Sequence, residues 1–306
     1  MSRLTVVSRK SPLALAQTDI VVAALAHAGI TCEIRKTTSA GDETSQPLAD
    51  IGGKELFAGA LRRALYDGSA DVAVHSLKDL PAQRPPDIAL LAVCFPEEPC
   101  DVFISKSRLS FDKLPAGAKV GTCSPRRCAL LHEYFPGVEV VAMRGNIQTR
   151  LQKMHDGACD VLILAAAGLR RLNLIDGGTL TTGEHVLPLP SKTFIPAPGQ
   201  GMLAVECLAE RLKDDVLVRT HATLLNRAAA MRYAAESEFA RQIGGDCHTP
   251  LGAFAMKALD GKKDGQIQLR AFYAGDGHFR QTIVCDAYSM KGARRAAIAA
   301  ARTVCA

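Results

Sequence analysis

Two nine-residue stretches of this chain read almost alike, and they stand 89 residues apart. Tyr66-Asp-Gly-Ser-Ala-Asp-Val-Ala-Val74 resembles His155-Asp-Gly-Ala-Cys-Asp-Val-Leu-Ile163, with Asp67 matching Asp156 and Asp71 matching Asp160. Each reads as a helix end, an Asp-Gly turn and a buried apolar strand. The pair predicts two α/β lobes of like topology, or else one common α/β join used twice. The unit openings repeat as well. Strand Leu4–Ser8 runs into a helix over Leu13–Ala28, with Ser11 as N-cap, Pro12 in the first turn and Gly29 at the end. Strand Lys119–Thr122 is followed by Cys123-Ser-Pro-Arg-Arg127 and a helix to Phe135, so Ser124-Pro125 repeats the Ser11-Pro12 cap.

The chain has 306 residues, more than one core of roughly 250 residues holds, so two or three domains are expected. It crosses out of the first lobe near Glu97–Pro99 and returns through the Pro-rich segment Pro188–Pro198. Met202–Cys207 then reads as a buried strand that rejoins the first lobe. The expected division is 1–97 plus 199–213 for the first lobe, 98–198 for the second and 214–306 for a smaller α+β domain. In that last part helices are expected over Val216–Leu225, Ala228–Ile243 and Lys291–Val304. Strands are expected over Leu251–Lys257, Gln266–Tyr273 and His278–Cys285, with turns at Asp260-Gly261 and Asp276-Gly277. The first lobe carries a surplus polar loop, Thr37 to Gly53, a candidate lid or a plain surface loop.

Hydrophobic residues make up 48% and charged residues 22%, which fits ordinary cores and excludes wholesale disorder. The net charge of +6 favours anionic partners but is too diffuse to argue for nucleic acid. With no Trp and no basic-aromatic run, a base-stacking platform is excluded too. The N-terminus enters a strand without an apolar leader, and no apolar run reaches the ~18 residues of a membrane span. A cytoplasmic protein without a membrane partner is expected, its ten cysteines mostly reduced and buried. No metal is expected: the His and Cys spacings lack a zinc pattern.

Chemistry points to Asp79. It closes Asp71-Val-Ala-Val-His-Ser-Leu-Lys-Asp-Leu-Pro81, a buried strand running into a polar turn. Under the 89-residue offset its counterpart is Gly168, so only one lobe brings this acid. Arg9, Arg126, Arg127, Arg144 and Arg150 fall on separate strand-to-helix turns, with Lys78 and Arg171 as further charge. Ligands of open α/β sheets bind beyond the strand ends, and arginine forks grip carboxylates. Arg126 and Arg127 in a first helical turn oppose the helix dipole, which argues for a nearby anion. Each arginine alone also reads as a solvated side chain, and Asp79 alone as a turn cap; the convergence argues for proton chemistry on a polycarboxylate. Cys247, in Gly245-Asp-Cys-His-Thr-Pro250, sits in a polar loop rather than a core, as a nucleophile or an attachment point. A Cys247–His248 hydrolase dyad is disfavoured, because adjacent residues seldom aim side chains at each other.

Seven motifs in order resemble the hydroxymethylbilane synthase, or porphobilinogen deaminase, family. They are Ser8-Arg-Lys-Ser-Pro-Leu-Ala-Leu-Ala-Gln17, Gly52-Gly-Lys-Glu-Leu-Phe57, Ala73-Val-His-Ser-Leu-Lys-Asp-Leu-Pro81, Gly121-Thr-Cys-Ser-Pro-Arg-Arg127, Arg144-Gly-Asn146, Ala165-Ala-Ala-Gly-Leu-Arg-Arg-Leu172 and Pro198-Gly-Gln-Gly201. The resemblance implies an α/β fold with two periplasmic-binding-protein-like lobes of mixed sheets, plus a small α+β C-terminal domain with a three-stranded antiparallel sheet. It implies a monomeric transferase that adds four porphobilinogens head to tail, losing ammonia each time, onto a dipyrromethane cofactor bonded by a thioether to Cys247. Hydrolysis then frees hydroxymethylbilane. By the same resemblance Asp79 is the catalytic acid, protonating the departing amine and stabilising the azafulvene cation. Ser76, Lys78, Asp79, Thr122, Ser124, Arg126, Arg127, Arg144 and Arg150 match cofactor-contacting positions. Arg9, Ser11, Lys54, Arg144, Arg150, Arg171 and Gln200 match substrate positions, and Phe57 belongs to the lid.

Three positions depart from the family pattern. Asp246 separates Gly245 from Cys247, where a second glycine is usual; Cys123 replaces a common serine; and the lid lacks an arginine before Gly41-Asp42. The rival reading is a non-catalytic two-lobe binder of polycarboxylate small molecules, against which the third domain and Cys247 argue.

Overall fold

The computed structural model describes residues 3–38, 58–108, 110, 114–176, 178–245, 249–258 and 265–305. The expected lid, with Lys54 and Phe57, the anchor segment with Asp246, Cys247 and His248, and the Asp260-Gly261 turn lie outside the described residues.

The chain opens with β1 (Arg3–Arg9), α1 (Pro12–His27), β2 (Thr31–Thr37), α2 (Gly59–Tyr66), β3 (Val72–Ser76), a single 3-10 turn Leu77–Asp79, and β4 (Ile88–Cys94). It continues through β5 (Asp101–Ser105), β6 (Lys119–Gly121), α3 (Pro125–Tyr134), β7 (Glu139–Val141), α4 (Ile147–His155), β8 (Val161–Ala165), α5 (Ala166–Arg171), and the short strands β9 (Ile175–Asp176), β10 (Thr179–Leu180) and β11 (His185–Pro188). Then come β12 (Leu203–Leu208), α6 (Asp215–Leu224), α7 (Arg227–Ile243), β13 (Leu251–Lys257), β14 (Gln266–Tyr273), β15 (Arg280–Ala287) and α8 (Met290–Cys305).

Among the described residues these strands form three sheets, ordered β2-β1-β3-β12-β4, β7-β6-β8-β5-β11-β10-β9 and β13-β14-β15. The first two are mixed: β1 runs parallel to β2 and β3, while β12 runs antiparallel to β3 and β4. The third is antiparallel throughout, and α8 lays an alanine-rich face (Ala293, Ala296, Ala297, Ala300) on it. No helix among the described residues is long and apolar enough to cross a membrane.

The internal repeat is structural. Asp71 N donates to Thr5 O at 2.9 Å and its carboxylate accepts from Thr5 N at 2.6 Å. Asp160 does the same to Lys119, at 2.9 and 2.8 Å. In each lobe one aspartate opens a buried strand by closing a two-way clasp on the neighbouring parallel strand. The caps form as well: Ser11 accepts from Ala14 N, Ser124 from Arg127 N and Asn146 from Thr149 N, each contributing about 1 kcal/mol to its helix. One strand starts later than its sequence suggests. Asp276 accepts from His278 N at 3.2 Å, an Asx turn that occupies the amide expected to start the strand, so β15 begins at Arg280.

Candidate active site

The strand ends of the two large sheets and the α7 side of the third domain enclose a cleft of about 570 Å³. Lys78 and Asp79 line it from the turn after β3. Ser124, Arg126 and Arg127 line it from the start of α3, and Gln200 from the return crossing. Gly245 and Thr249, the residues that flank 246–248, line the same cleft. A Cβ on Gly245 would press on the Leu251 side chain, which would have to shift. Asp79 also borders a smaller recess of about 50 Å³, together with Arg9, Ser11, Gln17 and Ser76.

Asp79 is exposed, and no hydrogen bond holds its carboxylate among the described residues. The 3-10 turn presents it to the cleft because Leu77, at 0% exposure, pins the other side of that turn. Lys78 beside it is half-buried and donates from Nζ to Gln200 Oε1 at 3.3 Å. Burial, with Arg127 nearby, pushes its ammonium down to about 8, against the opposing pull of Asp79.

Arg126 and Arg127 point inward, not at open solvent. Arg126 Nη2 donates to Asp101 Oδ2 at 2.6 Å and Arg127 Nη2 to Asp101 Oδ1 at 2.7 Å. Their Nη1 atoms reach Ile195 O and Ile163 O at 2.8 and 2.9 Å. Gln200 Nε2 completes the cluster, donating to Asp101 Oδ1 at 3.0 Å and to Pro99 O at 2.6 Å. Burial pushes the Asp101 carboxyl up, but the two guanidiniums outweigh it and hold it well below the usual carboxylate range. The anion that two arginines in a first helical turn call for is therefore an internal one, Asp101. The sequence carried one sign of it, an acid opening the apolar run Val102-Phe-Ile104. One donor is left over: Arg127 Nε is buried without a partner among the described residues.

Arg150 is half-buried, donates from Nε to Gly145 O at 2.8 Å, and has its guanidinium pushed down by burial and by Arg127. Arg144 is half-buried on the same turn, and Asp79 and Arg144 both act on Arg150 electrostatically. Thr122 is buried and its Oγ1 accepts from Ser124 N at 3.2 Å. Ser76 exchanges hydrogen bonds with Gln17. Arg171 stands apart from the cleft lining: its Nη2 donates to Phe95 O and Gly201 O at 2.8 and 2.6 Å. Sequence reasoning missed Asp101, Gln17 and a second buried cluster, Arg62 forked onto Glu206 at 3.0 and 2.9 Å with His75 at 3.4 Å. There burial pushes the Glu206 carboxyl up, and His75 and Arg62 bring it down to about 2.

The arrangement is one unencumbered carboxylate at the edge of a cleft with a surplus of fixed cations. It suits proton transfer beside a ligand carrying several carboxylates.

Residues 4–216 match the family model described as porphobilinogen deaminase, dipyrromethane cofactor binding domain. The chain is 41% identical over 294 residues to a porphobilinogen deaminase of Chromobacterium violaceum, covering 92% of each. Among solved structures it is similar to the methionine binding protein MetQ (TM-score 0.45, 10% identity, 72% of this chain and 89% of the other). It is also similar to a periplasmic substrate-binding protein of Coxiella burnetii (TM-score 0.45, 15% identity, 75% and 94%). With the family model spanning most of the chain and a relative matched nearly end to end, the chain belongs to the porphobilinogen deaminase (hydroxymethylbilane synthase) family, transferases of tetrapyrrole biosynthesis with a dipyrromethane cofactor.

Proposed function

We propose that the protein joins four porphobilinogen molecules head to tail onto a dipyrromethane primer held on Cys247, releases ammonia at each addition, and hydrolyses off hydroxymethylbilane. The observation that carries this reading is the placement of Gly245 and Thr249 in the wall of the cleft that Asp79 borders. On this reading a group attached in the segment between them would share one enclosure with the carboxylate and the cations.

The residues present fit such a cofactor. Built from two porphobilinogens, it bears several carboxylates, and the cleft is lined by Arg127, Ser124 and a half-buried Lys78. Lys78, Ser124, Arg127 and Arg150 would hold its carboxylates, with Thr122 and Arg126 setting the backbone and the Asp101 cluster behind them. Ser76, Arg144 and Asp79 complete the cofactor set. When bound, the cofactor supplies a nucleophilic pyrrole end.

The chain's own residues do the rest. Asp79 lends a proton to the amine leaving porphobilinogen, balances the cation left on that substrate, and takes up the ring proton after coupling. Arg9 and Ser11, across the smaller recess, with Arg144, Arg150 and Gln200, orient the incoming carboxylates. Lys54 and Phe57 belong to this reading as lid residues. Lobes over 1–97 with 199–213 and over 98–198 supply the two walls, and 214–306 supplies the anchor. A monomeric, cytoplasmic enzyme without nucleic-acid or membrane partners belongs to the same reading.

Intact-protein mass spectrometry tests it. Active protein should carry an excess mass equal to a dipyrromethane, mapped by digestion to the peptide containing Cys247. An unmodified mass in active protein would refute the mechanism.

A further inference from the structure

The chain passes between the two large sheets twice, through Phe95–Pro99 after β4 and through Pro198–Gly201 before β12. The two passages are tied to each other, because Glu97 N donates to Gly201 O at 3.0 Å. They are also tied to α5, the helix that follows the second sheet's strand β8. Arg171, the last residue of α5, donates from one nitrogen, Nη2, to Phe95 O at 2.8 Å and to Gly201 O at 2.6 Å. That nitrogen carries two hydrogens, and each passage takes one. Two further contacts join the same helix to the first passage and the residue after it: Arg170 lies 3.8 Å from Glu97, and Ala166 N donates to Cys100 O at 3.0 Å.

Both carbonyls that Arg171 holds belong to residues with left-handed backbone. Phe95 has φ +44° and Gly201 φ +90°. A bulky residue in that region is rare and strained, and such strain persists only where surrounding contacts hold it. Gly201 is obligatory in its place, since a Cβ would run into the Glu97 carbonyl oxygen. Hinges are a few residues at element ends that absorb large changes in φ and ψ. Rotation of one sheet against the other at this joint moves α5 relative to the Phe95 and Gly201 carbonyls, so the Arg171 bonds oppose it.

We propose that Arg171 is a positioning residue: a latch that clasps both inter-lobe passages and so sets the opening of the cleft, instead of gripping a substrate carboxylate. The inference does not depend on the turnover chemistry proposed above, and its readout is independent of activity.

The test is backbone hydrogen exchange on the full-length protein, comparing the native chain with Arg171→Gln and Arg171→Lys. In Arg171→Gln the Glu97 amide should exchange at least about tenfold faster, while amides of β3 and β8 keep their protection. Arg171→Lys keeps a multi-hydrogen donor nitrogen but on a shorter stem that lacks the rigid guanidinium plane; it should show a smaller acceleration, and it decides the matter if the Gln variant does not fold. Unchanged Glu97 exchange overturns the proposal whatever happens to the KM for porphobilinogen; a raised KM beside it would mark Arg171 as a substrate fork. Acceleration spread equally over β3 and β8 would mean general destabilisation and overturns it as well.

Discussion

Arg126 donates to Asp101 at 2.6 Å with both side chains buried: Asp101 is 0% and Arg126 5% exposed. The pair joins the first turn of α3 to the first residue of β5. With Arg127 on the other carboxylate oxygen, it ties the start of α3 to β5 behind the cleft.

Removing the shared anion should therefore cost stability before it costs chemistry. Asp101→Asn leaves two buried guanidiniums without a counter-charge, and breaking a buried pair typically costs about 3–5 kcal/mol. Urea unfolding at neutral pH measures the loss; a change below about 1 kcal/mol would contradict the role. Because the folded-state carboxyl is held below its ordinary range, its contribution is present at neutral pH and is lost as acid titrates it.

Asp79→Asn should behave in the opposite way. The carboxylate is exposed and makes no hydrogen bond among the described residues, so unfolding free energy should stay within about 0.5 kcal/mol of the native chain. Turnover of porphobilinogen should fall by about 10²–10⁴-fold, the usual reach of a positioned proton donor. Substantial retained rate would remove Asp79 from the chemistry.

Lys78 predicts a pH limb. Its ammonium sits at about 8 in the folded protein against 10.5 for an ordinary lysine. The unfolded chain thus binds more protons between those values, and stability should rise with pH across that window. The hold on the cofactor's carboxylates should do the reverse, since a neutral Lys78 no longer attracts an anion; the share of apoprotein that loads dipyrromethane, read by intact mass, should fall as pH passes about 8. Lys78→Arg, charged at all these pH values, should abolish the fall, and a loading profile identical to the native one would disprove the assignment.

Charge removal at Arg150 should act on elongation. Its guanidinium lies in the field of Arg127, Arg144 and Asp79. Arg150→Gln should stall synthesis at particular chain lengths, visible as trapped intermediates in intact-mass spectra. A uniform slowing without trapped species would argue that Arg150 only supports the Gly145 turn through its 2.8 Å bond.

Much of the fold was legible locally. Ser11, Ser124 and Asn146 act as caps because a side chain three residues from an amide needs no distant partner. Strands β13 and β14 match their apolar patterns to the residue, and the Asp71 and Asp160 clasps were visible as a repeat. The site was legible in part. Asp79, Lys78 and the arginines announced themselves by residue type and by position at strand ends. The targets of those arginines did not: Arg126 finds Asp101 across 25 residues, and Gln200 finds it across 99.

Helix starts, buried strands and the residue types gathered at turns can be read along the chain, because each of those outcomes depends on neighbours a few positions away. Only the tertiary structure decided that Arg126 and Arg127 turn inward, that Arg171 clasps the lobe junction, and that Gly245 and Thr249 border the cleft of Asp79. Those outcomes depend on which distant segments meet, and a buried charge takes whichever counter-charge or carbonyl the folded chain brings within reach.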